Sequence, residues 1–165
     1  MRPRRRESAA DERDGPQQLR ERALRLLARR EHSRSELAAK LARHADSRDS
    51  IDELLDALER GKQLSDERYA ESRVRVLSRK FGAARILREL GAKGVKGALP
   101  ERMAGELAAG ELQRAREILR RRYRLPPEDI AERAKRSRFL QGRGFSYDVI
   151  RRALDERALD EPGDP

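Results

Sequence analysis

The chain is short, strongly charged and poor in aromatic side chains. Its 165 residues carry 40 Lys plus Arg against 30 Asp plus Glu, a formal net charge of +10, and charged residues make up 42% of the sequence. Aromatic residues contribute 4% and Trp is absent, which argues against a β-sandwich or barrel because those folds draw on β-branched and aromatic residues. Abundant Ala, Leu, Arg and Glu instead favour an all-α fold.

Residue types that the chain lacks also disfavour several classes of protein. No window holds the roughly 20 apolar residues of a membrane-spanning helix, and no apolar signal-peptide core is visible, so we expect a cytoplasmic protein without a membrane partner. Cys is absent, which removes disulfides and thiolate zinc sites. We expect His32 and His44 to be solvated residues near helix ends, and we expect neither a metal nor a cofactor.

Charge is unevenly distributed along the chain. Residues 1–16 hold five Arg against four acids and almost no apolar side chain, so we expect a disordered arm there. Residues 158–165 hold three acids and no base, which indicates an acidic tail. Two basic blocks, residues 68–96 and 114–143, each carry a net charge of +7. The positive charge therefore lies in the middle and last thirds.

Three helices are predicted up to residue 61. Pro16 opens the first, which runs to about residue 30. Ser33 and Glu36 have the spacing of a capping box and start the second. Ser50 repeats that device ahead of the third, and Gly61 is expected to end the third helix in a left-handed conformation.

The same signals recur in the middle of the chain. Ser65 is expected to cap a fourth helix and Gly82 to separate it from a fifth. Pro100 opens a sixth, and whether this helix continues into the next one through Gly110 is left open by the sequence.

The last third yields three more helices. Ile130 and Leu140 mark the apolar side of the helix that follows Pro126-Pro127, and Ser146 caps a last helix on whose apolar side Tyr147 is placed. This makes nine helices in three groups of three.

An internal repeat relates the three groups. Residues 90–95 and 140–145 share the order Leu, two residues, a base, Gly and an apolar residue, 50 positions apart. Residues 41–46 lie 49 positions earlier, with Ala45 in place of the Gly. We therefore predict three tandem three-helix repeats, residues 17–64, 65–110 and 111–157, which stack into an elongated, curved array because each is too small to be very stable alone. The alternative is that short helices with Leu faces resemble one another by chance.

Four ordered segments carry a family resemblance. They are Ser33-Arg34-Ser35-Glu36-Leu37 followed by Lys40-Leu41, Gly61-Lys62-Gln63-Leu64-Ser65-Asp66-Glu67-Arg68-Tyr69-Ala70, Arg85-Ile86-Leu87-Arg88-Glu89-Leu90 with Lys93-Gly94-Val95, and Phe139-Leu140 with Arg143-Gly144-Phe145-Ser146. Over about residues 17–156 the chain resembles the RecX family, with Ala45 as a departure from the usual Gly. The resemblance implies three-helix repeats that bind the RecA recombinase and its nucleoprotein filament. It also implies that the protein modulates, mostly by inhibition, ATP hydrolysis and strand exchange.

Residues that could support catalysis are few. The chain has neither Cys nor Thr as a nucleophile and no Gly-rich phosphate loop. Asp52, Glu53, Asp56 and Glu59 alternate with Leu and are expected to form a solvated helix face. We therefore expect a binding protein and not an enzyme.

Candidate contacts to the filament or to DNA are the cations of the two basic blocks: Arg73, Arg75, Arg79, Lys80, Arg85, Arg88, Lys93, Lys96, Arg120, Arg121, Arg122 and Arg124. Such cations gain affinity for phosphate by releasing condensed counterions. An ordinary solvated surface explains them about equally well, and Arg88 could be paired locally with its neighbour Glu89. The aromatic residues that could stack on bases are more often core: Tyr69, Phe81, Phe139, Phe145 and Tyr147.

Three functions remain open at this stage. The first is a monomeric, non-catalytic RecA regulator that contacts DNA weakly and without sequence preference. The second is a free-standing DNA-binding protein that uses a helix-turn-helix-like pair. The chain has no Asn to read base edges, which counts against the second. The third is a repeat scaffold with no affinity for nucleic acid.

Overall fold

A computed structural model describes residues 14–155, and over that range the chain forms nine α-helices and no β-strand. The helices are α1 Pro16–Arg29, α2 Arg34–Leu41, α3 Arg48–Arg60, α4 Asp66–Leu77, α5 Ala83–Ala92, α6 Leu99–Ala109, α7 Glu111–Arg122, α8 Ile130–Gly142 and α9 Tyr147–Leu154. The all-α prediction is confirmed. Most of the predicted arm and all of the predicted acidic tail lie outside the described residues.

The described residues divide into two compact units, residues 14–66 and 67–155. In the first unit α1, α2 and α3 pack around a core that includes Leu19, Leu37, Leu41 and Leu55, none more than 2% exposed. Ser33 caps α2 as predicted, because its Oγ accepts a hydrogen bond from the Glu36 N–H at 3.1 Å.

Two details of α3 differ from the prediction. The helix starts one turn earlier, where the Ser47 Oγ accepts a hydrogen bond from the Ser50 N–H at 3.1 Å, so Ser50 lies inside the helix and does not cap it. At its other end Gly61 has φ −76°, and the left-handed residue is Lys62, with φ 58°. That conformation costs a non-Gly residue about 1–2 kcal/mol. It lets the N–H groups of Gln63 and Leu64 bond to the Leu58 carbonyl, at 2.9 and 3.2 Å.

Within the second unit, two groups of three helices have separate cores. One core joins α4, α5 and α6 and includes Tyr69, Ile86 and Leu90. The other joins α7, α8 and α9 and includes Leu119 and Leu140. α6 ends at Ala109 and α7 begins at Glu111, so the two are separate helices that adjoin at Gly110.

The repeated Gly turn has one geometry in the two later copies. Gly94 and Gly144 have φ 81° and 83°, and the next residue in each copy bonds its N–H to the Leu carbonyl five residues earlier, at 3.1 and 3.3 Å. Ala45 is 7% exposed and, among the described residues, Lys62 is the sole non-Gly residue with positive φ. The first copy therefore turns differently, because a Cβ disfavours the left-handed conformation.

Backbone contacts join the two helix groups of the second unit. The Gly82 N–H donates to the Arg143 carbonyl at 2.9 Å, and a Cβ at Gly82 would lie 2.4 Å from the Gly144 carbonyl oxygen. Since Gly82 has no capping side chain, the buried Glu111 serves instead: its Oε1 accepts from the Ala83 N–H at 2.7 Å, at the start of α5. This contact between the groups brings charged residues of both together.

Two apolar residues that were predicted to lie on buried helix faces are exposed. Ile130 is 87% and Tyr147 79% exposed, each at the first position of its helix. Neither has a preceding helical turn to pack over, because helix side chains lean toward the N-terminus. Leu140 and Ile150, further along the same helices, are buried.

Candidate functional site

The cations on α4 and in the turn that follows it differ in how they are engaged. Arg75, Arg79 and Lys80 are exposed, and none of them forms an ion pair with a carboxylate of residues 14–155. Arg73 is half-buried and its guanidinium pairs with Glu89 across the α4–α5 contact. Arg73 therefore has a structural role.

Arg85 and Arg143 link the two helix groups of the second unit. The Arg85 guanidinium lies 4.1 Å from the centre of the Phe81 ring and donates from Nη1 to the Gly142 carbonyl at 3.2 Å. The Arg143 guanidinium lies 4.4 Å from the Phe139 ring and donates from Nη1 to the Lys80 carbonyl at 3.2 Å. Three segments of the chain thus place cations together at one location.

We define the joint surface as Lys80, Arg85, Arg88 and Arg143. Arg88 is exposed and lies three residues after Arg85, on the same side of α5. Within the described part of the chain none of the four pairs with a carboxylate, and Glu89, the predicted local partner of Arg88, binds Arg73 instead. The sequence interpretation missed Arg143, although it occupies the same repeat position as the candidate Lys93.

The remaining candidates of the first basic block follow α5. Lys93 and Lys96 are exposed. The Lys93 backbone closes the helix, because its N–H bonds to the carbonyls of Glu89 and Leu90, each at 3.1 Å. We therefore leave these two lysines outside the joint surface.

The candidates of the second basic block also include both engaged and unpaired cations. They lie at or just after the C-terminal end of α7, where cations complement the helix dipole. Arg121 lies 3.7 Å from Glu117, and the Arg122 guanidinium lies 4.9 Å from the Phe139 ring centre and 5.7 Å from that of Tyr123. Arg120 and Arg124 are exposed. Of the four candidates in this block, these two are therefore the ones available to a partner.

Most of the aromatic candidates are core or covered by arginines. Tyr69 and Phe145 are 2% and 5% exposed, and one face each of Phe81 and Phe139 is occupied by a guanidinium. Tyr147 is the exposed member of the set. Tyr147 is therefore the aromatic candidate with the most surface open to a base.

The acids of α3 do more than form a solvated face. They are exposed, but Asp56 and Glu59 lie 2.8 and 2.7 Å from the Arg34 guanidinium, and Asp52 lies 3.7 Å from it. These carboxylates neutralise an arginine of α2. They form an interhelical network, which a pattern of sequence spacing cannot reveal.

His32 is buried, contrary to the expectation that both histidines are solvated. It is 2% exposed, with Nδ1 3.2 Å from Glu36 Oε2, and burial lowers the pKa of its imidazole. A hydrogen bond from Arg30 is the main reason that the pKa of Glu36 falls to about 2. In the described range no group of three or more His, Cys, Asp or Glu side chains could hold a metal ion, and no helix is long and apolar enough to cross a membrane.

Fold and surface together define a class: all-helical proteins built from consecutive three-helix domains, with arginines and lysines exposed where two domains meet. Three family models match the chain, described as the first, second and third three-helix domains of RecX, over residues 20–58, 65–101 and 109–154. The chain belongs to the RecX family. The three-helix organisation is thereby confirmed, while the repeat boundaries given above stay predictions.

Curated relatives and a solved structure agree with this assignment. The regulatory protein RecX of Herbaspirillum seropedicae is 47% identical over 146 residues, 88% of this chain and 95% of that protein. That of Ralstonia nicotianae is 42% identical over 152 residues, 91% of this chain and 96% of that protein. The crystal structure of RecX from Lactobacillus salivarius is similar with a TM-score of 0.72 at 25% identity, over 87% of this chain and 97% of that one.

Proposed function

We propose that this protein regulates the RecA recombinase by binding RecA and its DNA filament through the joint surface, and that it catalyses no reaction itself. Membership of a family whose relatives are named regulatory proteins supports the first part. The resemblance of the sequence to that family supplies RecA as the partner. Any change in ATP hydrolysis then occurs at the active site of RecA.

One structural observation carries the proposal: hydrogen bonds join the segments that bear Lys80, Arg85 and Arg143, Arg88 follows one turn along α5, and none of the four pairs with a carboxylate in the described part of the chain. Phosphates bound there release counterions, and this contribution to affinity is independent of sequence and falls with salt. Guanidinium groups add directional hydrogen bonds to phosphate or carboxylate oxygens. A filament offers such anions at regular intervals, whereas side chains suited to reading base edges, such as Asn, are absent from the chain.

The surface can be tested at Lys80 and Arg88, because both side chains are exposed and neither pairs with a carboxylate in the described part of the chain. Arg85 is unsuitable, because its guanidinium holds the Gly142 carbonyl and covers Phe81. We expect Lys80→Glu/Arg88→Glu to weaken binding to RecA filaments on single-stranded DNA by about tenfold or more, since charge-assisted hydrogen bonds contribute about 1.5–3 kcal/mol each. Fluorescence anisotropy at several salt concentrations measures this effect, and the slope of log affinity against log salt should become shallower.

A matched variant changes the same number of charges elsewhere on the second unit. Lys135 and Arg138 are exposed and lie outside the candidate set. Lys135→Glu/Arg138→Glu should bind within about twofold of the parent, a difference of roughly 0.4 kcal/mol. Equal weakening by both double variants would show that net charge matters and the joint surface does not. Protection of one duplex sequence by the parent protein would instead favour a free-standing DNA-binding protein.

A further inference from the structure

A second basic feature of the molecule is a cavity of about 350 Å³ at the C-terminal end of α7. Its walls are largely aliphatic, formed by Leu119, Leu125, Pro126, Pro127, Ala153 and Leu154 beside Tyr123. The lining also contains four arginines and no carboxylate; the arginines are Arg116, Arg120, Arg124 and Arg136. An apolar cavity bordered by cations of one sign is suited to an anion that also carries an apolar group.

Three of the four arginines keep an unbalanced charge. Arg136 is satisfied, because its Nε lies 3.2 Å from Glu132 Oε1 and its Nη1 donates to the Leu125 carbonyl at 2.8 Å. Arg116, Arg120 and Arg124 pair with no carboxylate among residues 14–155, and the buried Nε of Arg116 has no hydrogen-bond partner there. The positive charge of the cavity is therefore open to an external anion.

Its chemistry favours a peptide over a nucleic acid. The Tyr123 ring lies 4.3 Å from the Arg136 guanidinium and 5.7 Å from that of Arg122, and it packs edge-on against Phe139 at 5.9 Å. Tyr123 is the single aromatic residue of the lining and these neighbours already contact it, so the cavity offers little of the stacking surface that single-stranded nucleic acids use for affinity. Aliphatic walls instead accept an aliphatic side chain flanked by carboxylates.

We propose that the occupant is the acidic segment of this same chain, residues 156–165. Its sequence carries Glu156, Asp160, Glu161 and Asp164 against a single Arg157, with Leu159 as its aliphatic side chain. The segment continues from α9, whose last residue, Leu154, lines the cavity. Leu159 is five residues further on, and an extended chain spans about 3.3–3.6 Å per residue, so the cavity is within its reach.

The two residues that lead into this segment are held beside the cavity. Arg133 donates to the Leu154 carbonyl at 3.0 Å and pairs with Asp155 at 2.5 Å. A ligand attached at such short range has a high effective concentration, so weak individual contacts suffice for occupancy. In this arrangement the segment covers Arg120 and Arg124, which makes it an internal competitor for any anionic partner of those two arginines.

Paramagnetic relaxation in the full chain tests the proposal directly. Because the chain has no Cys, a nitroxide placed at Gly163→Cys is the only label and leaves the acids and Leu159 intact. We expect broadening of the backbone amides of Arg120, Arg124 and Leu125, and none at Arg88 on α5. Absence of broadening at the cavity would overturn the proposal.

Two charge-reversed chains make the test specific, each with the label at position 163. Asp160→Lys/Glu161→Lys should abolish the broadening at the cavity, while Asp11→Lys/Glu12→Lys, the same charge change in the N-terminal segment, should leave it unchanged. Broadening that survives the first reversal, or that is lost equally in both, would overturn an acid-specific contact. Broadening in a mixture of labelled and ¹⁵N-enriched copies would instead assign the contact to a second copy. None of these outcomes depends on RecA binding, so they are separable from the function proposed above.

Discussion

The first unit and the joint surface are both rich in arginine, but their arginines are used differently. In the first unit Arg34 faces Asp56 and Glu59, and Arg30 pairs with Glu36 at 2.6 Å. On the joint surface Lys80 and Arg88 have no carboxylate partner in the range that the structure describes. The comparison teaches that a binding surface is found by the absence of neutralising partners and not by the density of positive charge. Three predictions in descending order of expected effect test this difference.

The largest effect on stability is expected at Gly144, where the turn after α8 approaches the start of α5 closely. Gly144 has φ 83°, and a Cβ there would lie 2.6 Å from the Arg85 Cβ. We expect Gly144→Ala to lower the free energy of unfolding by about 2–4 kcal/mol, from left-handed strain and overpacking together. Chemical denaturation measures the change. Gly91→Ala is the control, because a Cβ at Gly91 meets nothing within 4 Å and Ala favours a helix, so stability should not fall. A Gly144→Ala chain as stable as the parent would show that this contact is unimportant.

A second effect concerns acid stability of the first unit. The pKa of Glu36 is lowered to about 2, mainly by its hydrogen bond from Arg30. A carboxyl whose pKa is lower in the folded state contributes stability above its unfolded pKa of about 4.3 and loses it as pH falls toward 2. Stability of the parent should therefore decrease between about pH 5 and pH 2, by about 1–2 kcal/mol more than in Glu36→Gln, after allowance for solvent screening. Urea denaturation across this pH range checks the difference, and identical pH profiles for the two chains would contradict it.

The smallest effect separates structural from surface arginines. Arg34→Ala should destabilise the protein by about 1 kcal/mol, because it removes ion pairs to two acids and the aliphatic stem that packs there. Arg88→Ala should change stability by less than about 0.5 kcal/mol, since its side chain has no carboxylate partner in the described structure. Thermal unfolding of both variants makes the comparison. If Arg88→Ala proved the more destabilising, Arg88 would be a structural residue and would leave the joint surface.

Local signals made much of the fold predictable. The Ser33 and Ser146 caps and the Leu positions of each core act within one helical turn, so they can be recognised without knowledge of the rest of the molecule. The predicted start of α3 was wrong, because Ser47 and Ser50 can both cap a helix. Which of the two serines does so depends on how the preceding chain packs. The left-handed residue is Lys62 and not the predicted Gly61, because this conformation lets the next two N–H groups bond to the Leu58 carbonyl.

The candidate surface was predictable only in part. Charge clustering identified Lys80, Arg85 and Arg88, but it could not distinguish Arg73, which pairs with Glu89 sixteen residues away. Arg143 could have been found by its repeat position, whereas its contact with the Lys80 carbonyl joins residues 63 positions apart. Contacts at that separation depend on tertiary structure, and no spacing rule for a single helix encodes them.

The proposed function depends on binding of the joint surface to RecA filaments, which in turn slows ATP hydrolysis by RecA. The most direct measurement is the steady-state rate of ATP hydrolysis by RecA on single-stranded DNA, titrated with the parent chain, Lys80→Glu/Arg88→Glu and Lys135→Glu/Arg138→Glu. We expect the parent and the Lys135/Arg138 variant to slow hydrolysis at similar concentrations, while the Lys80/Arg88 variant requires about tenfold more, in line with the expected loss of affinity. An unchanged rate with the parent chain, or equal inhibition by all three, would contradict it.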